Sequence, residues 1–209
     1  MSGDRRQRAV TGPLGLVGMT GGALFVGVYL ALALVGEDMY STTFVFFVVS
    51  AIPVLFWVGG TVGLFVHHRR SFEWPGRVGT VVLLFGLFMS IVDSLWFVLA
   101  GGPLLTETQQ WGYILVQILG ALLLGSAIVR ARELPHAVSG GMLFALGLPV
   151  SVVLVILLVE VLDVLASAFL ASAIFTIPFG VAWLVLGYDL FTEQDRSDAT
   201  TSEAKAGIE

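Results

Sequence analysis

Residues 78–100 read VGTVVLLFGLFMSIVDSLWFVLA, and the reading of this stretch decides the fold. It holds 23 residues, nearly all apolar, with one charge, Asp93. A helix of that length can cross a hydrocarbon core about 30 Å thick. Five more apolar runs surround it. Asp93 is the one ionisable residue inside an unambiguous run, which makes it the first candidate for a functional site.

Composition agrees with a membrane setting. Of 209 residues, 57% are hydrophobic and 12% charged, against about 25% charged in a soluble domain. The mean hydropathy is +0.96. Such a chain has too few polar side chains to cover a water-facing surface, so its solvent is expected to be lipid. Cysteine is absent, which excludes disulfides, thiolate metal sites and thiol nucleophiles.

Working outward, the polar segment 1–12 carries Arg5, Arg6 and Arg8 and precedes a first apolar run, 13–36. That run is longer than a signal-peptide core and lacks a clear small-x-small cleavage site, so it reads as a first span. Glu37 and Asp38 end it. The second run, 43–66, stops at His67-His68-Arg69-Arg70, and a polar loop with a turn signal at Trp74-Pro75-Gly76 leads to the third, 78–100. Gly101-Gly102-Pro103 breaks that helix, and Glu107, Gln109 and Gln110 are expected in the loop before the fourth run, 111–129. Arg130, Arg132 and Glu133 close the fourth, and Pro135 precedes the fifth, 137–159. The sixth, 164–188, follows a tight turn at Glu160 and Asp163. A single helix over 137–188 would reach about 78 Å, so the chain must fold back there. The tail, 189–209, is acidic, rich in Ser and Thr, and expected to be disordered.

Six spans with the N-terminus in the cytoplasm put all ten Lys and Arg residues inside and none outside. The positive-inside rule asks for this bias, and five or seven spans break it. Trp111 and Tyr113 are expected at the outer interface, and Trp183 and Tyr188 at the inner one, where amphipathic rings prefer to lie. Trp57 falls mid-span and must pack against something or line something. Gly15, Gly18 and Gly22 share one face of span one, and Gly59 and Gly63 repeat the small-residue spacing in span two. These faces are expected to pack within the chain. A homo-oligomer or a membrane partner protein is left open. Pro53, Pro149 and Pro178 lie inside spans and are expected to kink them.

Asp93 lies about 24 Å from the inner end of its helix, in the outer part of the bilayer core. Ser90 is one turn back, and Gln117 is the other strong polar group at depth, so the three form the candidate intramembrane polar site. Asp93 reads either as a cation or proton site, or as a structural acid bonded to Ser90 or to a neighbouring helix. Glu160 and Asp163 are candidates for an outer acidic vestibule that draws cations, with a solvated turn as the plainer reading. His67 and His68 are adjacent, are expected to point in different directions, and so form a poor metal pair. Arg69, Arg70, Arg130 and Arg132 are expected to meet anionic lipid headgroups. Thr20, Thr61 and the other hydroxyls at depth can bond their own helix backbone.

Several chemistries are excluded. His67, His68 and His136 all lie at inner loops, so haem ligation inside the spans and intramembrane serine proteolysis lack a histidine. HExxH and a phosphate-binding Gly loop are absent. No metal, cofactor or nucleic-acid module is expected.

The segment 178–190, PFGVAWLVLGYDL, resembles the closing helix of small multi-pass membrane proteins of unknown function. The Ala, Val, Leu, Gly and Arg bias resembles membrane proteins of GC-rich genomes, haloarchaea especially. The resemblance implies a multi-pass bundle and no particular activity. The expectation is therefore an all-α, six-helix bundle in the cell membrane with both termini cytoplasmic. It is not an enzyme but a structural, accessory or regulatory protein. The alternative is a small transporter or channel with Asp93 at its site.

Overall fold

A computed structural model describes residues 2–35, 43–102, 104–157 and 177–193, and these hold helices and short connections without a strand. In chain order the helices are α1 (Ser2–Val35), α2 (Thr43–His68), α3 (Trp74–Ala100), α4 (Glu107–Ala131), α5 (Ala137–Ile156) and α6 (177–193). Four contain stretches long and apolar enough to cross a membrane: Val10–Val28, Ala51–His68, Trp74–Ala100 and Trp111–Ala131. In α5 the apolar stretch Ala137–Val150 is shorter.

Helix ends differ from the sequence expectation for local reasons. Trp74-Pro75-Gly76 is the first turn of α3 and not a loop turn. Proline suits that position because its missing N–H would have no partner there anyway. Glu107, Gln109 and Gln110 lie in the first turn of α4 and not in a loop. There the Gln109 side-chain oxygen accepts the Thr106 backbone N–H at 2.9 Å, which satisfies a donor at the helix start. At the other end of the bundle, α1 reaches back to Ser2 through the segment expected to precede the first span. Finally, α6 runs on to residue 193, so the start of the expected disordered tail is helical. Glycine is needed at Gly101, which ends α3 with φ +73° and donates its N–H to the Phe97 carbonyl at 2.9 Å.

Close seams join the helices. Down the α3–α4 seam, Gly79, Leu83 and Gly86 meet Leu124, Gly120 and Gln117 in reverse order, so the two run antiparallel. A Cβ on Gly120 would lie 2.5 Å from the Leu83 nitrogen. The pair α4–α5 is antiparallel too, with Gly125 against Ala145 and Gly141 against Val129. Gly140 meets Leu186 and Gly147 meets Phe179, so α5 and α6 are also antiparallel. The chain direction therefore reverses between them, as expected. The turn itself, with Glu160 and Asp163, lies outside the described residues.

The glycine faces predicted for spans one and two are used inside the chain. Gly18 backs onto Gly60, Gly59 onto Val17 and Gly63 onto Leu14, which joins α1 to α2. Gly15 and Gly22 back onto Gly187 and Gly180 of α6. Such close approach lets dispersion hold helices together where lipid supplies no hydrophobic drive. Pro13, Pro53 and Pro149 are accommodated within continuous helices.

An aromatic cluster fills the space between α1, α2, α5 and α6. Trp57 and Trp183 stack at 6.4 Å and 14°, with Phe25 4.4 Å from Trp57 and Phe144 edge-on to Trp183 at 5.0 Å. Trp183 was expected at the lipid interface. Instead it is buried at 1% exposure, because Gly18, Gly22 and Gly60 open room for its ring. Trp111 and Tyr188 do remain exposed. Leu16, Leu55, Val81, Phe85, Leu115 and Leu146 are exposed too, the pattern of a bundle whose outer face meets lipid. Thr20 and Thr61 donate to the carbonyls of Leu16 and Trp57, each at 2.8 Å, which answers their hydroxyls locally.

The seam geometry sets a paired test by thermal unfolding in detergent. Gly120→Ala forces a methyl into the Leu83 backbone and is expected to cost about 1–3 kcal/mol. Gly112→Ala, with open space around its Cβ, should gain up to about 1 kcal/mol from helix propensity. Equal effects at the two sites would contradict the seam.

Candidate functional site

The turn at Gly101 carries the chain back past the end of α3, towards Asp93. Asp93 is 1% exposed. Its Oδ1 accepts the backbone N–H groups of Leu104 and Leu105, both at 3.1 Å. Those two donors sit just before α4 and outside any helical ladder. One carboxyl oxygen can accept both donors because it carries two lone pairs. Asp93 thus ties the α3–α4 connection to α3 itself.

The other two members of the predicted intramembrane site lie on the same seam. The Ser90 side chain lies beside the Tyr113 hydroxyl of α4, and Asp93 is near enough to Tyr113 to act on it electrostatically. Gln117 donates through Nε2 to the Gly86 carbonyl at 3.0 Å. Gly86 makes that approach possible, because a Cβ there would lie 2.6 Å from Gln117 Cγ. Asp93, Ser90 and Gln117 are thus brought to one helix pair, and each has a partner from the other helix or from the connection to it. The predicted vestibule residues, Glu160 and Asp163, lie outside the described residues.

A second polar cluster gathers at the basic end of the bundle, where Arg69, Arg70, Arg130 and Arg132 are exposed. All three histidines sit there, and each faces a carboxylate. Asp189 of α6, 1% exposed, accepts the His136 backbone N–H at 2.7 Å, and its other oxygen lies 2.7 Å from His136 Nδ1. His136 immediately precedes α5, where an acid also meets the positive end of the helix dipole. Sequence reading placed Asp189 at the head of a disordered tail and missed this role. The signal was present: apolar Leu190 and Phe191 follow Asp189, so the amphipathic pattern does not stop at the charge.

His67 and His68 do not diverge as adjacent helical residues were expected to. Their ring centroids are 4.7 Å apart at 70°. His67 Nε2 lies 3.3 Å from Glu193 Oε2, and His68 Nε2 lies 3.8 Å from Glu133 Oε2. His68 is fully buried, stacks on Phe72 at 4.9 Å, and its Nδ1 is 3.0 Å from the Leu64 carbonyl. Because α2 and α6 run parallel, the Trp57–Trp183 stack and the His67–Glu193 pair follow one another along the same two helices.

No protein-family model matches the chain, and no curated protein or solved structure is similar to it.

The Asp189 clamp can be tested alone. Asp189→Asn weakens two charge-assisted bonds and is expected to cost about 1.5–3 kcal/mol. The exposed neighbour change Tyr188→Phe should stay within about 0.5 kcal/mol. Chemical or thermal unfolding of the two variants in one detergent compares them directly.

Proposed function

We propose that this is a six-span integral protein of the cell membrane with both termini in the cytoplasm, serving as a non-catalytic structural, accessory or regulatory component. One observation carries the non-catalytic reading. The intramembrane acid is already engaged: Asp93 holds the Leu104 and Leu105 N–H groups. Gln117 likewise bonds the neighbouring helix backbone. Polar side chains used this way make a bundle rigid, and among the described residues of the α3–α4 seam no base, nucleophile or metal set is brought together. Both donors converge on Oδ1, so a proton or cation taken up by Asp93 would weaken two backbone bonds in surroundings where each unsatisfied donor costs several kcal/mol.

The orientation rests on charge. All Lys and Arg residues fall on the cytoplasmic side of this arrangement, and the exposed Arg69, Arg70, Arg130 and Arg132 would lie against anionic headgroups.

Melting curves in detergent, with Asp93→Asn beside wild type across a panel of alkali cations and pH, test the role of Asp93. The reading predicts a variant that melts lower by about 1–3 kcal/mol equivalent and no alkali-cation shift in either protein. A cation shift present in wild type and absent in the variant would favour the transport reading, because a ligand of the folded state raises its stability. Reporters placed after Glu209 and near Glu107 should report opposite sides of the membrane; finding both on one side would end the six-span arrangement.

A further inference from the structure

The histidine pair at the end of α2 carries an inference that stands apart from the reading of Asp93. The Leu64 carbonyl can only accept a hydrogen bond, so His68 Nδ1, 3.0 Å away, carries the ring proton. His68 Nε2 then presents a lone pair. That nitrogen is fully buried and has no hydrogen-bond partner among the described residues. It points at a second acceptor, Glu133 Oε2, across 3.8 Å. This gap is too long for a direct hydrogen bond. In the neutral imidazole that lone pair faces a carboxylate, an arrangement that is repulsive unless a proton or a metal ion lies between them.

The remaining ligands are in place. One ligand atom each from His67, His68 and Glu133 lies within 4.8 Å of the others. Tetrahedral ligands around an ion with bonds of 2.0–2.1 Å sit about 3.3 Å apart. A small inward move closes the set, and Glu133, whose side chain is 37% exposed, has room to make it. Glu193 Oε2, 3.3 Å from His67 Nε2, borders this set but is not among the atoms that lie within 4.8 Å of one another, so the fourth position of an ion here would fall to water. The donor of His68 to a backbone carbonyl is the arrangement that orients metal-binding imidazoles and fixes their tautomer.

We infer that His67, His68 and Glu133 bind one divalent transition-metal ion of the zinc type at the basic end of the bundle, with water in the fourth position. Two imidazoles with a carboxylate suit zinc, cobalt or nickel better than magnesium or calcium, which favour all-oxygen shells. The Glu133 carboxylate would offset part of the ion's charge, with Glu193 close by beside His67. Bound there, the metal would fasten the end of α2 to the α4–α5 connection, two parts of the chain that otherwise face each other across the 3.8 Å His68–Glu133 gap. The site lies at the end of the apolar helix packing, where His68 stacks on Phe72, so its metal would act on the stability and opening of this end of the bundle.

The test uses the full chain, purified without a histidine tag and stripped with chelator. Co2+ is titrated and followed by its visible ligand-field absorption, then displaced with Zn2+, and melting is recorded with and without Zn2+. The expected result is one saturable site per chain, a tetrahedral cobalt spectrum, displacement by Zn2+ and a higher melting temperature. His67→Ala and Glu133→Gln alter partly exposed positions, and each should weaken binding by roughly 10–100-fold or more, with the metal-free melting temperature close to wild type. His136→Asn should leave metal affinity unchanged. Absence of saturable binding by wild type overturns the inference. So does binding that survives the combined His67→Ala and Glu133→Gln change, or that is lost in His136→Asn alone.

Discussion

A backbone N–H that leaves its helix inside an apolar surrounding finds no water, and the fold has to supply an acceptor. At the α3–α4 connection two such groups, on Leu104 and Leu105, find one carboxylate oxygen of Asp93. The position of the acid, the left-handed turn at Gly101 and the Gly79, Gly86 and Gly120 seam all serve this arrangement. An acid inside an apolar helix is costly by itself, yet here it removes a cost that the connection would otherwise carry. Its neighbours extend the same economy, since Ser90 meets Tyr113 and Gln117 meets the Gly86 carbonyl.

At the opposite end the polar groups are arranged by helix ends and not by depth. Asp189 fastens α6 to the start of α5, while Glu193, four residues on and hence on the same face of α6, reaches His67 of α2. One helix end therefore joins two others. The aromatic cluster around Trp57 and Trp183 lies along the same helices and fills what the glycines leave open. The Trp57–Trp183 stack in the middle and the His67–Glu193 pair at the basic end are successive levels of one parallel α2–α6 contact.

Much of this was legible in the sequence, and the rest was not for a physical reason. The apolar runs give the helices, since a stretch such as 78–100 has only one stable form in lipid. Asp93, Ser90 and Gln117 stand out because polar groups at depth need partners. The partners themselves were not legible. Asp93 bonds the backbone of two leucines, whose side-chain identity carries no signal for it. Asp189 and His136 are far apart in the chain, and the contact exists only because α5 and α6 run antiparallel. Trp183 looked interfacial by its place near a span end, but the small residues that receive it lie on α1 and α2. Boundaries moved outward at Trp74 and Glu107 because local capping, by proline and by Gln109, lets polar residues begin a helix.

The central claim is that the Asp93 carboxylate is a backbone acceptor for the α3–α4 connection. Amide hydrogen exchange at Leu104 and Leu105, in wild type and in Asp93→Ala, measures it most directly. Protection at both amides in wild type, lost in the variant while the interiors of α3 and α4 stay protected, is the result the account predicts. Fast exchange at both amides in wild type, or protection unchanged by the substitution, would contradict it.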